Sequence, residues 1–217
     1  MLSKKEFYTI LYQPDNKILA SSKNRPKVLE NALGDIIKVF YRKKTFSSDH
    51  YNPYAKRFCR NANKLNTLGF LAPKINLLLY CNDAKAYLVY YEKMAGQTVF
   101  SLVKEGNEVI LKKLMCFIIS LHEKGVFFRS MHLENFLYSP KNNFILIDIS
   151  DMKFFNKPLS VYMRLRNLKH IFLHHQDRHI WGHLGIRYWT NEYAQHANFS
   201  IIQKIQWKIL KMLFRLP

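Results

Sequence analysis

Glycine is scarce in this chain, with 7 in 217 residues. No G-x-G-x-x-G occurs anywhere, and Gly34 is the single glycine before position 38, which excludes an ordinary glycine-rich loop near the N-terminus. Cysteine is limited to Cys59, Cys81 and Cys116, at spacings that build no zinc framework and that fit a reducing compartment. No apolar run is long enough to span a bilayer, and Met1-Leu2-Ser3-Lys4-Lys5 is not followed by the apolar stretch of a secretory signal. Repeats and low-complexity linkers are absent too. Acidic residues are few: 15 against 34 Lys and Arg, for a net charge of +19. That imbalance favours an anionic partner, and nucleic acid, anionic lipid and phosphorylated sugar all qualify. No basic-aromatic module accompanies the charge, so no specific nucleic acid is expected.

An apolar content of 48% in 217 residues is enough for a sizeable core. Ile110 to Lys124 carries apolar residues at helical spacing and ends at Gly125, suited to the left-handed position after a helix. Phe136-Leu137-Tyr138 and Phe144 to Ile147 are short apolar strands around the turn residues Ser139 to Asn143. That hairpin sets Asn135 and Asp148 side by side at one mouth. Upstream, Asp35 to Phe40 reads as a strand bearing Lys38, and Pro53 to Leu68 as a helix without any acidic residue. Leu77 to Tyr80 and Ala86 to Tyr91 read as a hairpin around Asn82-Asp83.

Phe127 to Asp148 resembles the catalytic loop H-R-D-x-x-x-x-N and the following metal-binding D-F-G of the protein-kinase-like fold. The segment LHEKGVFFRSMHLENFLY, from Leu121, is similar to the LH..G..HGDLHPGNIL pattern of small-molecule and lipopolysaccharide kinases. The nearest likeness is the lipopolysaccharide core kinase family, in particular its toluene tolerance proteins. The resemblance implies an α+β, protein-kinase-like bilobal fold with a reduced C-terminal lobe. It implies an N-lobe over 1–92, mostly antiparallel sheet plus one helix, and a helical C-lobe over 93–217. It also implies ATP and Mg²⁺ as cofactors, with Asn135 and Asp148 on the metal and Lys38 on the phosphates. Tyr91-Glu92-Lys93 becomes the hinge whose backbone holds adenine, and Gly96 ahead of Thr98 matches the hinge glycine.

Three departures from the family pattern stand out. The loop carboxylate is replaced by Ser130, leaving Ser130, His132 and Asp148 as catalytic candidates. Asn61 stands where the helix Glu that pairs with the lysine would align, and is either its hydrogen-bonding substitute or a solvated residue. Leu19 to Arg25 replaces the glycine loop, between a strand at Ile10 to Tyr12 or Lys17 to Ala20 and one at Val28 to Glu30. Arg129, Arg164, Arg166 and Asn167 are candidates for holding an acidic acceptor. The run Lys169 to His175, with His179 and His183, has no accompanying Cys or acidic pair and reads as cleft or surface rather than as a zinc site.

Two functions follow: an ATP-dependent phosphotransferase acting on a sugar hydroxyl of the lipopolysaccharide core, or a catalytically impaired pseudokinase in cell-envelope biogenesis. The expected partners are core or lipid A-linked sugar and an anionic membrane surface, with the protein cytoplasmic or peripheral on the inner membrane. Asn198 to Pro217 is a basic amphipathic helix that either lies in a membrane interface or packs on the C-lobe.

Overall fold

The computed structural model describes residues 1–42 and 52–214. The chain divides into two units, Met1–Ala95 and Gly96–Pro217.

The first unit starts with helix α1, Lys4–Leu11, closed by a capping box in which Ser3 accepts from the Glu6 backbone and Glu6 reaches back to Ser3. Strands β1 (Lys17–Ser22), β2 (Arg25–Glu30), β3 (Asp35–Tyr41), β4 (Ile75–Cys81) and β5 (Ala86–Glu92) form one antiparallel sheet in the order β1-β2-β3-β5-β4. Helix α2, Tyr54–Thr67, lies between β3 and β4 in sequence. Of the two strand placements expected for the N-terminus, Lys17 onward is correct. Ile10 to Tyr12 is the end of α1, because the S-x-x-E cap commits that segment to helix.

The period of two along each strand sorts the unit into two layers. Ile37, Val39, Ala86 and Leu88 pack with Phe7 and Leu11 of α1 in one buried cluster. The alternate residues face α2: the Phe40 ring lies 5.6 Å and the Tyr91 ring 5.7 Å from Phe58. Lys38 has the same parity and sits on the α2 face, its Nζ 5.0 Å from the Phe58 ring centre. The β1–β2 hairpin closes on Lys23 and Asn24, with φ of 52° and 58°. Two successive left-handed residues are the signature of a type I′ turn, whose twist matches that of its strands. A tight hairpin thus occupies Leu19 to Arg25, closed without any glycine.

The second unit opens at Gly96, where an added Cβ would fall 2.8 Å from the Tyr138 carbonyl oxygen. Short strand β6 (Gln97–Thr98) leads into α3 (Val99–Lys104), whose first turn is capped by the Thr98 hydroxyl. Helix α4 (Val109–Glu123) is followed by β7 (Val126–Phe128). Between them Gly125 has φ +72°, and a Cβ there would meet the Phe155 carbonyl oxygen at 2.2 Å, so glycine is required. Then come β8 (Phe136–Tyr138), β9 (Phe144–Leu146) and β10 (Met152–Phe154). Strands β6, β8 and β9 form one small sheet and β7 with β10 another. Helices α5 (Val161–Leu173), α6 (Arg178–Leu184), α7 (Ile186–His196) and α8 (Ile201–Leu213) complete the unit. The last three residues of the expected terminal helix, 215–217, lie outside the described residues.

An antiparallel sheet carrying Lys38 beside one helix, followed by a helical unit with an Asn–hairpin–Asp segment, is an α+β fold of protein-kinase-like layout.

Candidate functional site

The second unit builds its site on a buried polar chain. Asn167 of α5 grips the end of β7 with both amide atoms: Nδ2 donates to the Phe128 carbonyl at 2.6 Å, and the Phe128 N–H donates to Oδ1 at 3.0 Å. These bonds fix which end of the amide is oxygen. His122 must therefore donate its Nε2–H to the same Oδ1, at 3.1 Å, and its Nδ1 then accepts from the Tyr193 hydroxyl at 2.7 Å. Arg164 donates to Tyr193 at 3.4 Å and to Glu123 at 2.8 Å. Burial, assisted by the Arg164 charge and opposed by the Asn167 bond, pushes His122 down to about 3, so it is neutral at physiological pH. The chain from Glu123 to Phe128 holds the backbone just before Arg129 and Ser130.

Asn135 ends a single 3₁₀ turn, Leu133–Asn135. Its Nδ2 donates to the Ser130 carbonyl at 2.7 Å and to His132 Nε2 at 2.9 Å. Both amide hydrogens are consumed, leaving the carbonyl oxygen Oδ1 as the atom Asn135 would offer to a ligand. The Ile147 N–H donates to the Asn135 backbone carbonyl at 3.0 Å, extending the β8–β9 pairing of Phe136 with Leu146 by one step. Asp148 follows at once. It is exposed and left-handed, with φ 52° and ψ 46°. Asp tolerates that region better than most side chains, and strain of this kind is held where surrounding structure requires it. The hairpin thus holds the backbone of Asn135, one residue singled out in the sequence as an oxygen donor, beside Ile147, the residue before the other, Asp148.

His132 has a defined state here. Because Nε2 accepts from Asn135, its proton sits on Nδ1. Burial, and then the neighbouring His174, hold its pKa below the usual value. Its ring stacks on His174 at 4.5 Å and 10°. Asp177, fully buried, accepts from the Leu133 N–H at 2.8 Å and lies 3.6 Å from His174 Nδ1. Burial pushes the Asp177 carboxyl upward, against the pull of that N–H and of the two histidines. Ligand atoms of His132, His174 and Asp177 lie within 4.8 Å of one another. Two members bond the loop, Asp177 through the Leu133 N–H and His132 through the Asn135 amide, while His132 Nδ1, His174 Nδ1 and Asp177 Oδ1 are buried without a hydrogen-bond partner among the described residues. The expected absence of a Cys or acidic pair beside the His-rich run left out the single acid, Asp177, that the fold brings to His132 and His174. Asp177, three residues after His174, was the available signal, and it was missed because no Cys or second acid flags it.

Other candidates fall in three groups. Arg164 and Asn167 are buried in the polar chain and offer nothing to an acceptor, which corrects their expected substrate role. Arg166 is exposed on α5 in one stripe with Tyr162, Lys169 and His170. These residues, with His174 and Phe214, line an open groove of about 660 Å³. Arg129 is exposed just before Ser130, and its charge, with that of Arg166, keeps His170 below its usual pKa behind the larger effect of burial. Ser130 itself is half-buried. In the first unit, Asn61 is buried on α2 one turn beyond Phe58, so it is no solvated residue. The Tyr91 ring is buried against Phe58, while Glu92 is exposed at the end of β5 opposite Asp35.

No protein-family model matches the chain, and no curated protein matches it in sequence. Among solved structures it is similar to WbdD, described as a bifunctional kinase-methyltransferase. Two structures of WbdD align with 20% identity and a TM-score of 0.40 over 56% of this chain. The aligned part is 29% and 28% of the respective WbdD chains, so this chain spans less than a third of their length. No residue role is taken from that likeness.

Proposed function

We propose that the protein is an ATP-dependent phosphotransferase acting on a sugar hydroxyl of the lipopolysaccharide core. One observation supports the reading: the Ile147 N–H bond to the Asn135 carbonyl holds Asn135 beside the residue that precedes Asp148, and the Asn135 Nδ2 is engaged by Ser130 and His132, so its oxygen is the atom that would meet a cation. Bound there with ATP, Mg²⁺ would supply charge neutralisation at the transferring phosphoryl group. The chain's own residues do the positioning. Asn135 and Asp148 would hold the cation, and His132 and the Ser130 carbonyl hold Asn135. Lys38 is assigned to the ATP phosphates, and the Tyr91-Glu92 backbone to adenine, on the family resemblance alone. The exposed cations Arg129, Arg166 and Lys169 suit an acceptor that already carries phosphate.

Ser130 is no carboxylate, and His132 has its Nε2 lone pair engaged by Asn135, so neither is a general base in this arrangement. A loose transition state asks little of a base, and transfer by positioning remains chemically sufficient for a slow enzyme. The same observation favours the second reading, a pseudokinase that binds nucleotide without transferring phosphate. Transfer from labelled ATP to isolated lipopolysaccharide core separates them. The enzyme reading expects label in the core fraction with wild type and none with Asp148→Ala. Retained Mg-ATP binding without transfer to any core acceptor would leave the pseudokinase.

A further inference from the structure

We infer that the outer face of α8 is a docking surface for an anionic lipid bilayer. At about 100° per residue, Ile201, Ile202, Ile205, Ile209, Met212 and Leu213 fall within one arc of about 120°. All six are between 54 and 79% exposed. Trp207, Leu210 and Phe214 occupy the opposite arc. Trp207 is buried, stacked on Tyr193 at 5.1 Å and 8° and lying 5.3 Å from Phe199. The helix therefore uses one face to hold to its own unit and still presents a second, wholly apolar face outward. A capping box formed by Ser200 and Gln203 fixes its start. The surface is formed before any partner arrives, so docking costs little ordering.

Charge selects the occupant. Lys204 and Lys208, both exposed, and the half-buried Lys211 fill the arc between the buried and the apolar faces, and α8 contains no acidic residue. Apolar side chains flanked by lysines suit the boundary between acyl chains and anionic headgroups. Nucleic acid would use the lysines and leave six apolar side chains in water. A second copy would bury the apolar arc but bring two chains of net charge +19 together, with lysines beside lysines. The far end of α8 reinforces the choice. Phe214 lines the groove of Arg166, Lys169 and His170, so further cations capable of receiving headgroup phosphate adjoin the helix. The inference stands whether or not the protein transfers phosphate.

The test is vesicle flotation with the full chain. Vesicles of phosphatidylcholine alone are compared with vesicles that also contain phosphatidylglycerol, at low and high salt. Wild type should float with the anionic vesicles, remain in the load with neutral ones, and bind less at high salt. Ile205→Glu/Ile209→Glu, at surface positions where the fold is unaffected, should lower the bound fraction about tenfold or more. Lys204→Gln/Lys208→Gln should lower it and weaken its salt dependence. Equal binding by wild type and the Ile205→Glu/Ile209→Glu variant overturns the assignment of the face. No flotation of wild type overturns it too, as does a wild-type dimer in sedimentation that the glutamates dissociate without any vesicle binding. Circular dichroism of each variant confirms that it is folded.

Discussion

At the residue scale, the candidate site depends on polar side chains whose hydrogen bonds fix their orientation. Asn135 is the sharpest case: Nδ2 is saturated by Ser130 and His132, and the useful atom is thereby selected. Ser130 contributes its backbone carbonyl to this arrangement, which any side chain at 130 would supply. If the protein transfers phosphate, Ser130→Ala should therefore cost only an orienting hydrogen bond, about 1 kcal/mol or roughly fivefold in rate. Asp148→Ala should cost on the order of 100-fold or more, since it removes a cation ligand. Initial rates with labelled ATP decide. A loss at Ser130→Ala as large as that at Asp148→Ala would give the hydroxyl a direct chemical role.

His122 supplies a second test at the same scale. Its folded pKa of about 3 lies below the ordinary histidine value of 6.5. Between these values the unfolded chain binds a proton that the folded chain refuses. Stability is therefore full above about pH 6.5 and is lost progressively as pH falls toward 3. The lowered values at His132 and His170 act with the same sign, and the raised Asp177 carboxyl opposes them. Denaturant unfolding at pH 7, 6 and 5 should show a monotonic fall amounting to a few kcal/mol in all. His122→Gln should be less stable at pH 7, because it disturbs a buried chain, and should show a shallower fall. Identical slopes would mean that His122 titrates alike in the folded and unfolded chain.

At the element scale, glycine positions and hairpins set the geometry. Gly125 joins α4 to β7 at φ +72°, with the Phe155 carbonyl oxygen in the space a Cβ would fill. Gly125→Ala would need a backbone shift in the β7–β10 pair as well as a disfavoured φ. It should cost more than about 3 kcal/mol, read as loss of soluble protein or a lowered unfolding midpoint. Much of this scale was legible in the sequence. The helix at 110–124, the hairpin at 136–147 and the β4–β5 pair all announce themselves by period and turn residues. What was not legible has physical reasons. The capping box Ser3-x-x-Glu6 marks a helix start, but the segment it opens is too short for a clear period, so α1 and the sheet face it covers went unforeseen. Arg164 and Asn167 have the chemistry of ligand-binding residues. Only the long-range packing of α5 on α4 and β7 shows that they serve the protein itself. Asp177 reaches Leu133 across 44 residues, a separation that no local pattern records.

At the scale of the whole molecule, the charge of +19 and the bare arc of α8 belong to surface behaviour, and the flotation experiment tests them. The central claim is nucleotide binding through Asn135 and Asp148. Its most direct measurement is the thermal unfolding midpoint with and without saturating Mg-ATP, for wild type and Asp148→Ala. A ligand at a hundred times its dissociation constant stabilises the folded state by about 2.7 kcal/mol, which for a chain of this size raises the midpoint by roughly 5–10 °C. The account predicts that rise in wild type, its loss when EDTA removes Mg²⁺, and no rise in Asp148→Ala. A rise of equal size in wild type and variant, or none in either, would contradict it.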